Sequence, residues 1–181
     1  MSSISRYTPH YTVADYEQWE GNWELWDGIA IAMVPSPAFE HQNIVMNLAY
    51  AVRNSLEGEH NCHCKVVSEV DWRIREDTVV RPDLMVLCEP IRTKWVEVVP
   101  TLIAEVLSPA TRNHDLTYKR ELYAREGVQH YLIVDPEQKS IETLTLAHST
   151  YHSVRSADET NLHIELHEAC RIAISLAGLW E

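Results

Sequence analysis

Glycine is scarce in this chain, five among 181 residues. That leaves little room for a glycine-rich loop of the kind that cradles phosphates with its backbone N–H groups. Neither a G-x-S-x-G elbow nor a Cys/His nucleophile pair occurs, which sets aside the common acyl-transfer arrangements. No apolar run approaches the roughly eighteen residues that a membrane span needs. The opening "MSSISRYTPHYTVADYEQWE" lacks a basic end followed by an apolar segment, so no secretory signal is expected. Internal repeats, low-complexity tracts and Pro/Gly/Ser linkers are also missing. The expectation is one domain spanning residues 1–181, cytoplasmic, with no membrane partner.

Positive charge is the other shortage. Fifteen Lys and Arg stand against 27 Asp and Glu, for a formal net charge of −12. That argues against broad electrostatic binding to nucleic acid, where neutralised phosphates dominate affinity. It leaves open a local basic groove, or a site whose negative charge a metal offsets. Cys62, Cys64, Cys88 and Cys170 are scattered without a disulfide framework and are expected as reduced thiols.

What is present is the composition of a folded protein, 45% hydrophobic and 23% charged. Thr12 to Glu20 reads as a short helix. "WELWDGIAIAMV" reads as two strands around Asp27-Gly28, a hairpin signal. Ser36 can N-cap a long helix with an apolar stripe of Ile44, Val45, Leu48, Ala51 and Val52, ended by Gly58. "KVVSEVDWRI" alternates as one half-buried strand, with Val66, Val70, Trp72 and Ile74 on one face. "TVVRPDLMVLC" and "TLIAEVLS" read as two more strands. A helix from about Asn113 to Glu126 closes at Gly127, and "VQHYLIVDP" is a buried strand. "SIETLTL", "TYHSV" and "LHIEL" continue as a meander, and "RIAISLAGLW" as a terminal helix or strand. The fold class expected is mixed α/β, a central mixed sheet flanked by helices.

Two charges break these apolar patterns. Glu105 shares a strand face with Ile103 and Leu107. Lys119 falls in one helical arc with Leu116, Leu122 and Tyr123. Asp83, in "RPDLMV", is a further acid inside an apolar run, and its strand can lie beside that of Glu105. A buried Glu105–Lys119 pair would contribute little net stability. Two acids and a lysine converging point instead to a divalent cation with oxygen ligands, and to phosphodiester hydrolysis.

With these residues in view, the sequence resembles the PD-(D/E)XK restriction-endonuclease-like superfamily, and within it the Uma-two family. The resemblance runs from "WELWDG" through "SPAFEHQNIVMNL", "RPDLMV" and "EVLSPATRNHDLTYKRELYAREGVQHYLIVDP" to "LAGLW". It implies a restriction-endonuclease-like core and a Mg²⁺- or Mn²⁺-dependent endonuclease acting on nucleic acid, DNA first. Asp83 and Glu105 match the motif's metal-binding acids. Leu107 stands where the motif's lysine belongs, and Lys119 in "DLTYKRELY" supplies the ammonium from the next helix. Glu24 and His41 correspond to the family's recurrent acid and histidine, the first a third acid near the metal, the second at the mouth of the site.

Each of these residues also has a plainer reading. Glu24 reads equally as an exposed strand-end acid, His41 as a solvent-facing or capping residue, and Tyr123 as core with its hydroxyl tied locally. Asp115 suits the positive end of its helix. Trp19, Trp72 and Trp95 read as packing or dimer surface rather than as a base-stacking platform. "EHNCHC" offers zinc ligands, but without a second pair to close a tetrahedron it reads as a loop feeding a strand. Two other functions stay open: a nuclease-fold interaction module without activity, and an acidic-surface protein, which predicts no basic groove beside the acids. A homodimer is expected, because cutting both strands of a duplex takes two sites.

Overall fold

The computed structural model describes residues 9–33, 39–154, 160–167 and 170–181. Its centre is a six-stranded sheet ordered β10-β9-β8-β7-β6-β3. These strands are β3 (Lys65–Ser68), β6 (Leu84–Leu87), β7 (Leu102–Val106), β8 (His130–Asp135), β9 (Ser140–Ala147) and β10 (Thr150–Val154). The β7–β8 pair is parallel and its neighbours are antiparallel, so the sheet is mixed as expected. A second sheet, ordered β2-β1-β5-β4, combines β1 (Trp23–Trp26), β2 (Ile29–Ala32), β4 (Trp72–Arg75) and β5 (Thr78–Val80).

Alternation along the central strands divides the core into two layers. Leu84, Val86, Leu102, Ala104 and Val106 face helix α2 (Phe39–Glu57) and the hairpin of β11 (Asn161–His167) and β12 (Cys170–Ser175). Met85, Leu87, Ile103 and Leu107 face the other way, onto Trp72, Leu122, Tyr123 and Tyr131. Helix α2 buries Ile44, Val45, Leu48, Val52 and Leu56 against the first layer. The Ser36 cap lies outside the described residues.

The Asp27-Gly28 hairpin forms as read, with positive φ at both turn residues, 45° and 83°. Both backbone groups of Gly28 are engaged, its N–H donating to Asp77 O and its C=O accepting from Tyr11 N, each at 2.8 Å. A Cβ added there would run into the His10 ring. Gly28→Ala is therefore expected to cost about 1–2 kcal/mol from the left-handed backbone alone. Urea denaturation measures it, and an unchanged midpoint would remove the turn as a constraint.

Several expectations need correction. The first helix, α1 (Val13–Tyr16), stops well short of Glu20, although Thr12 and Asp15 form its capping box. "KVVSEVDWRI" is two strands in different sheets, because Glu69 turns the chain with φ 52°. "TVVRPDLMVLC" divides likewise into β5 and β6, with Pro82 between them, where it removes no ladder donor. "LHIEL" leaves the meander and pairs with β12. The cysteines are not free thiols: Cys62 bonds to Cys170 and Cys64 to Cys88. Partners 108 and 24 residues apart give no local spacing signal.

Candidate active site

The β6–β7 register sets Leu84 opposite Ala104, so the residue before Leu84, Asp83, meets the residue after Ala104, Glu105. The two acids that broke their apolar runs thus sit side by side. Asp83 N–H points to Glu105 Oε2 at 3.3 Å, and Val106 N–H donates to Asp83 Oδ2 at 2.7 Å. Glu105 is 2% exposed and lies on the second layer's face.

The lysine arrives from an irregular helix. After α3 (Arg112–His114) the chain makes a π-helical turn (Asp115–Lys119) before α4 (Arg120–Glu126), which ends on the left-handed Gly127. Such wide turns recur where side chains are re-aimed into sites. Here the turn buries both Asp115 and Lys119. Lys119 Nζ lies 3.0 Å from Glu105 Oε1, 3.4 Å from Glu24 Oε1 and 3.5 Å from Asp115 Oδ1. Tyr123, one turn on, donates its hydroxyl to the same Glu105 Oε1 at 2.6 Å.

Glu24 is 3% exposed, not a strand-end acid in solvent. The Trp26 indole N–H donates to its Oε2 at 2.8 Å, and Arg81 N–H to its Oε1 at 2.7 Å. Trp26 is itself roofed by Tyr118, the rings 4.3 Å apart and nearly parallel. The β1 hairpin and the π turn are thereby locked together around the lysine. His41, from the first turns of α2, reaches Asp83 Oδ2 with Nε2 at 3.3 Å and is only 13% exposed. All six residues singled out in the sequence therefore meet in one place. Asp115 joins them, its position four residues before Lys119 setting both on one helix face.

The electrostatics follow from burial and from an excess of acids. Burial raises the Glu105 carboxyl well above its ordinary range; Lys119 opposes this, while Asp83 and Asp115 add to it. Burial also raises Asp115, again against the pull of Lys119. For Lys119 burial works against the charge, yet Glu105, Glu24, Asp115 and Asp83 together hold its ammonium well above the usual lysine range. Burial and the Glu105 charge raise Tyr123, so its hydroxyl stays a donor. For His41 burial opposes protonation, but the bond to Asp83 and its charge lift it above the ordinary imidazole value.

The donor set fits a hard divalent cation. Four carboxylates, those of Glu24, Asp83, Glu105 and Asp115, face one lysine and one histidine. Asp115 Oδ1 is buried without a hydrogen-bond partner among the described residues. Glu105 Oε1 is committed to Lys119 and Tyr123, whereas among the described residues Oε2 has only the long contact from Asp83 N–H. Mg²⁺ takes one or two carboxylates and keeps several waters, which suits such an incompletely satisfied pair.

A cavity of about 470 Å³ adjoins the site through Arg81. Trp19, Trp23 and Trp95 line it together with Arg73, Arg81 and Lys94. The Arg73 guanidinium sits 3.5 Å from the centre of a Trp95 ring. Trp19 and Trp95 thus border an aromatic recess whose arginines are paired, Arg73 with Glu17 and Arg81 with Asp71, each at 2.8 Å; Trp72 is core, as read.

The chain and its fold have known relatives. Residues 13–176 match the Uma2 family, described as "Putative restriction endonuclease", and the chain belongs to that family. An uncharacterized protein of Synechocystis sp. (strain ATCC 27184 / PCC 6803 / Kazusa) is 30% identical over 144 residues, covering 74% of this chain and 73% of that protein. The crystal structure described as a putative nuclease belonging to DUF820, from Anabaena variabilis ATCC 29413, superposes with a TM-score of 0.72. It is 15% identical and covers 90% of this chain and 94% of its own, a likeness of fold. Family and fold place the chain among nuclease-like proteins. No helix among the described residues is long and apolar enough to cross a membrane.

Proposed function

We propose that this protein is a metal-dependent nuclease that hydrolyses phosphodiester bonds of DNA. The observation that carries the reading is the convergence of Asp83 and Glu105, paired by register, on a buried lysine outnumbered by acids. Asp83 and Glu105 would hold Mg²⁺ or Mn²⁺, Glu105 through the oxygen that Lys119 and Tyr123 leave free. When bound, the ion supplies charge neutralisation for the phosphate and lowers the pKa of a water.

The chain's own residues do the rest. Lys119, fixed between Glu24, Glu105 and Asp115, presents an ammonium that orients the attacking water and stabilises negative charge developing on the phosphoryl oxygens. Tyr123 holds the Glu105 carboxylate in one rotamer. His41 fixes Asp83 through Nε2 and, as an imidazolium, offsets part of the acids' charge. Glu24 acts through the lysine, as a positioning residue. A twofold dimer would set two such sites on opposite strands of a duplex.

Purified protein with Mg²⁺ or Mn²⁺ is expected to cut DNA, and chelation to stop it. If neither DNA nor RNA is cut, and Asp83→Ala leaves divalent-ion binding unchanged, the reading fails. The cavity beside Arg81 is the place for an unpaired base. Trp95→Ala is expected to weaken single-stranded DNA binding by about 1–3 kcal/mol. Fluorescence anisotropy reads this, and an unchanged affinity would take the cavity out of the substrate path.

One observation favours a second reading, a nuclease-fold interaction module without activity. Lys119 Nζ bonds Glu105 directly at 3.0 Å, tying lysine to acid without a metal. That module would bind no divalent ion at Asp83, and the same ion-binding comparison separates the two.

A further inference from the structure

The cysteines lie away from the acid site and gather where α2, β3, β6 and the β11–β12 hairpin meet. Cys62 and Cys64 flank His63 in the connection from α2 to β3. Cys88 follows β6, and the Lys65–Leu87 pairing sets it opposite Cys64. Cys170 opens β12 opposite His167 of β11. The disulfide-bonded sulfurs of Cys64 and Cys88 and a ring nitrogen of His167 all lie within 4.8 Å of one another. All four cysteines belong to or border the same apolar layer.

We propose that these residues form a zinc site in the reduced protein, with Cys64, Cys88 and His167 as ligands. Cys170, set opposite His167 by the β11–β12 register, closes the tetrahedron once its disulfide to Cys62 is reduced. Sulfur and imidazole ligands select Zn²⁺ over the hard cations suited to Asp83 and Glu105. "CHC" offered only one cluster in sequence, but the fold adds Cys88 and the His167-x-x-Cys170 pair from remote segments, completing the ligand set of a structural zinc site. Freed from their disulfide, the sulfurs of Cys64 and Cys88 can separate to the edge of a Zn–S tetrahedron, about 3.8 Å for bonds near 2.3 Å.

The disulfides are the oxidised state of the same cluster. Each takes two electrons and two protons from a thiol reductant, whose own two S–H groups couple to a disulfide. The metal then displaces the thiol protons to solvent, leaving thiolates bound. Either state ties the β11–β12 hairpin to the ends of β3 and β6, by covalent bonds in one and by a metal in the other.

The test uses the full chain, reduced anaerobically with a phosphine, which becomes the phosphine oxide with oxygen from water. A thiol assay counts the free cysteines, and Co²⁺ is then titrated in. One equivalent is expected to give thiolate-to-cobalt charge transfer and tetrahedral visible bands, both erased by one equivalent of Zn²⁺. The oxidised protein is expected to give neither. His167 is exposed, so His167→Ala will fold; it is expected to alter the visible bands and weaken binding, and Cys88→Ser to remove most of the charge transfer. Protein with four free thiols and no cobalt spectrum overturns the proposal, as does a spectrum that neither variant changes.

Discussion

Lys119→Met is expected to destabilise the protein by about 3–5 kcal/mol at pH 7 and to abolish any cleavage. The lysine is 6% exposed, and it is the cation shared by Glu24, Glu105 and Asp115. Methionine keeps most of the volume but leaves three buried carboxylates facing one another. They must either stay charged in a low-dielectric site or take up protons, and each course costs free energy.

The pH dependence has a definite sign. Folding raises the lysine above its ordinary value, so its contribution is fully present below about pH 10.5 and is lost as pH rises through the folded value. In the variant Glu105 and Asp115, already raised by burial, lose the lysine that opposes the shift, so protonation relieves them as pH falls. Urea denaturation at pH 7 and pH 5 should show the deficit shrinking at the lower pH. An unchanged midpoint at pH 7 would mean that the lysine is not the cluster's counter-charge.

Glu105→Gln is expected to do the opposite to stability while removing function. The amide oxygen still accepts from Lys119 and Tyr123, so the geometry around Oε1 survives. Glu24 and Asp115 remain to balance the lysine. Folding raises the Glu105 carboxyl, so its ionised form loses stability as pH rises from about 4.5 through the folded value. A neutral amide avoids that loss, and the melting temperature at pH 7 should be equal or higher. Cleavage, by contrast, should fall by at least about 10²–10³-fold, the usual scale for losing an electrostatic contact to the transition state. A variant that cuts normally would place the metal elsewhere.

Much of this site was legible because it consisted of pattern violations. Glu105 stands among Leu102, Ile103, Ala104 and Val106, and only a buried partner or a site explains an acid there. The helical wheel placed Lys119 and Tyr123 in the right arc even though the turn carrying the lysine is π-helical, because one wide turn changes the phase only slightly. Asp83 was visible as an acid in an apolar run, though its pairing with Glu105 needed the β6–β7 register.

What local pattern left undecided depended on tertiary context. Glu24 is buried because Trp26 and Arg81 N–H satisfy its oxygens, and neither donor is signalled by local periodicity. Asp115 looked like a favourable charge at a helix start, a role its sequence position fits equally well. The turn at Glu69 uses a left-handed backbone at a residue type that seldom adopts it, so the strand pattern ran through it unbroken. The cysteine pairs join segments that only the finished sheet brings together.

The most direct measurement is a Mn²⁺ soak of crystals of the protein, read by anomalous scattering. The expected result is a peak between Asp83 and Glu105, within reach of Lys119, that is lost in Asp83→Ala crystals. An empty site at saturating Mn²⁺, with Lys119 still bonded directly to Glu105, would contradict a metal-dependent nuclease.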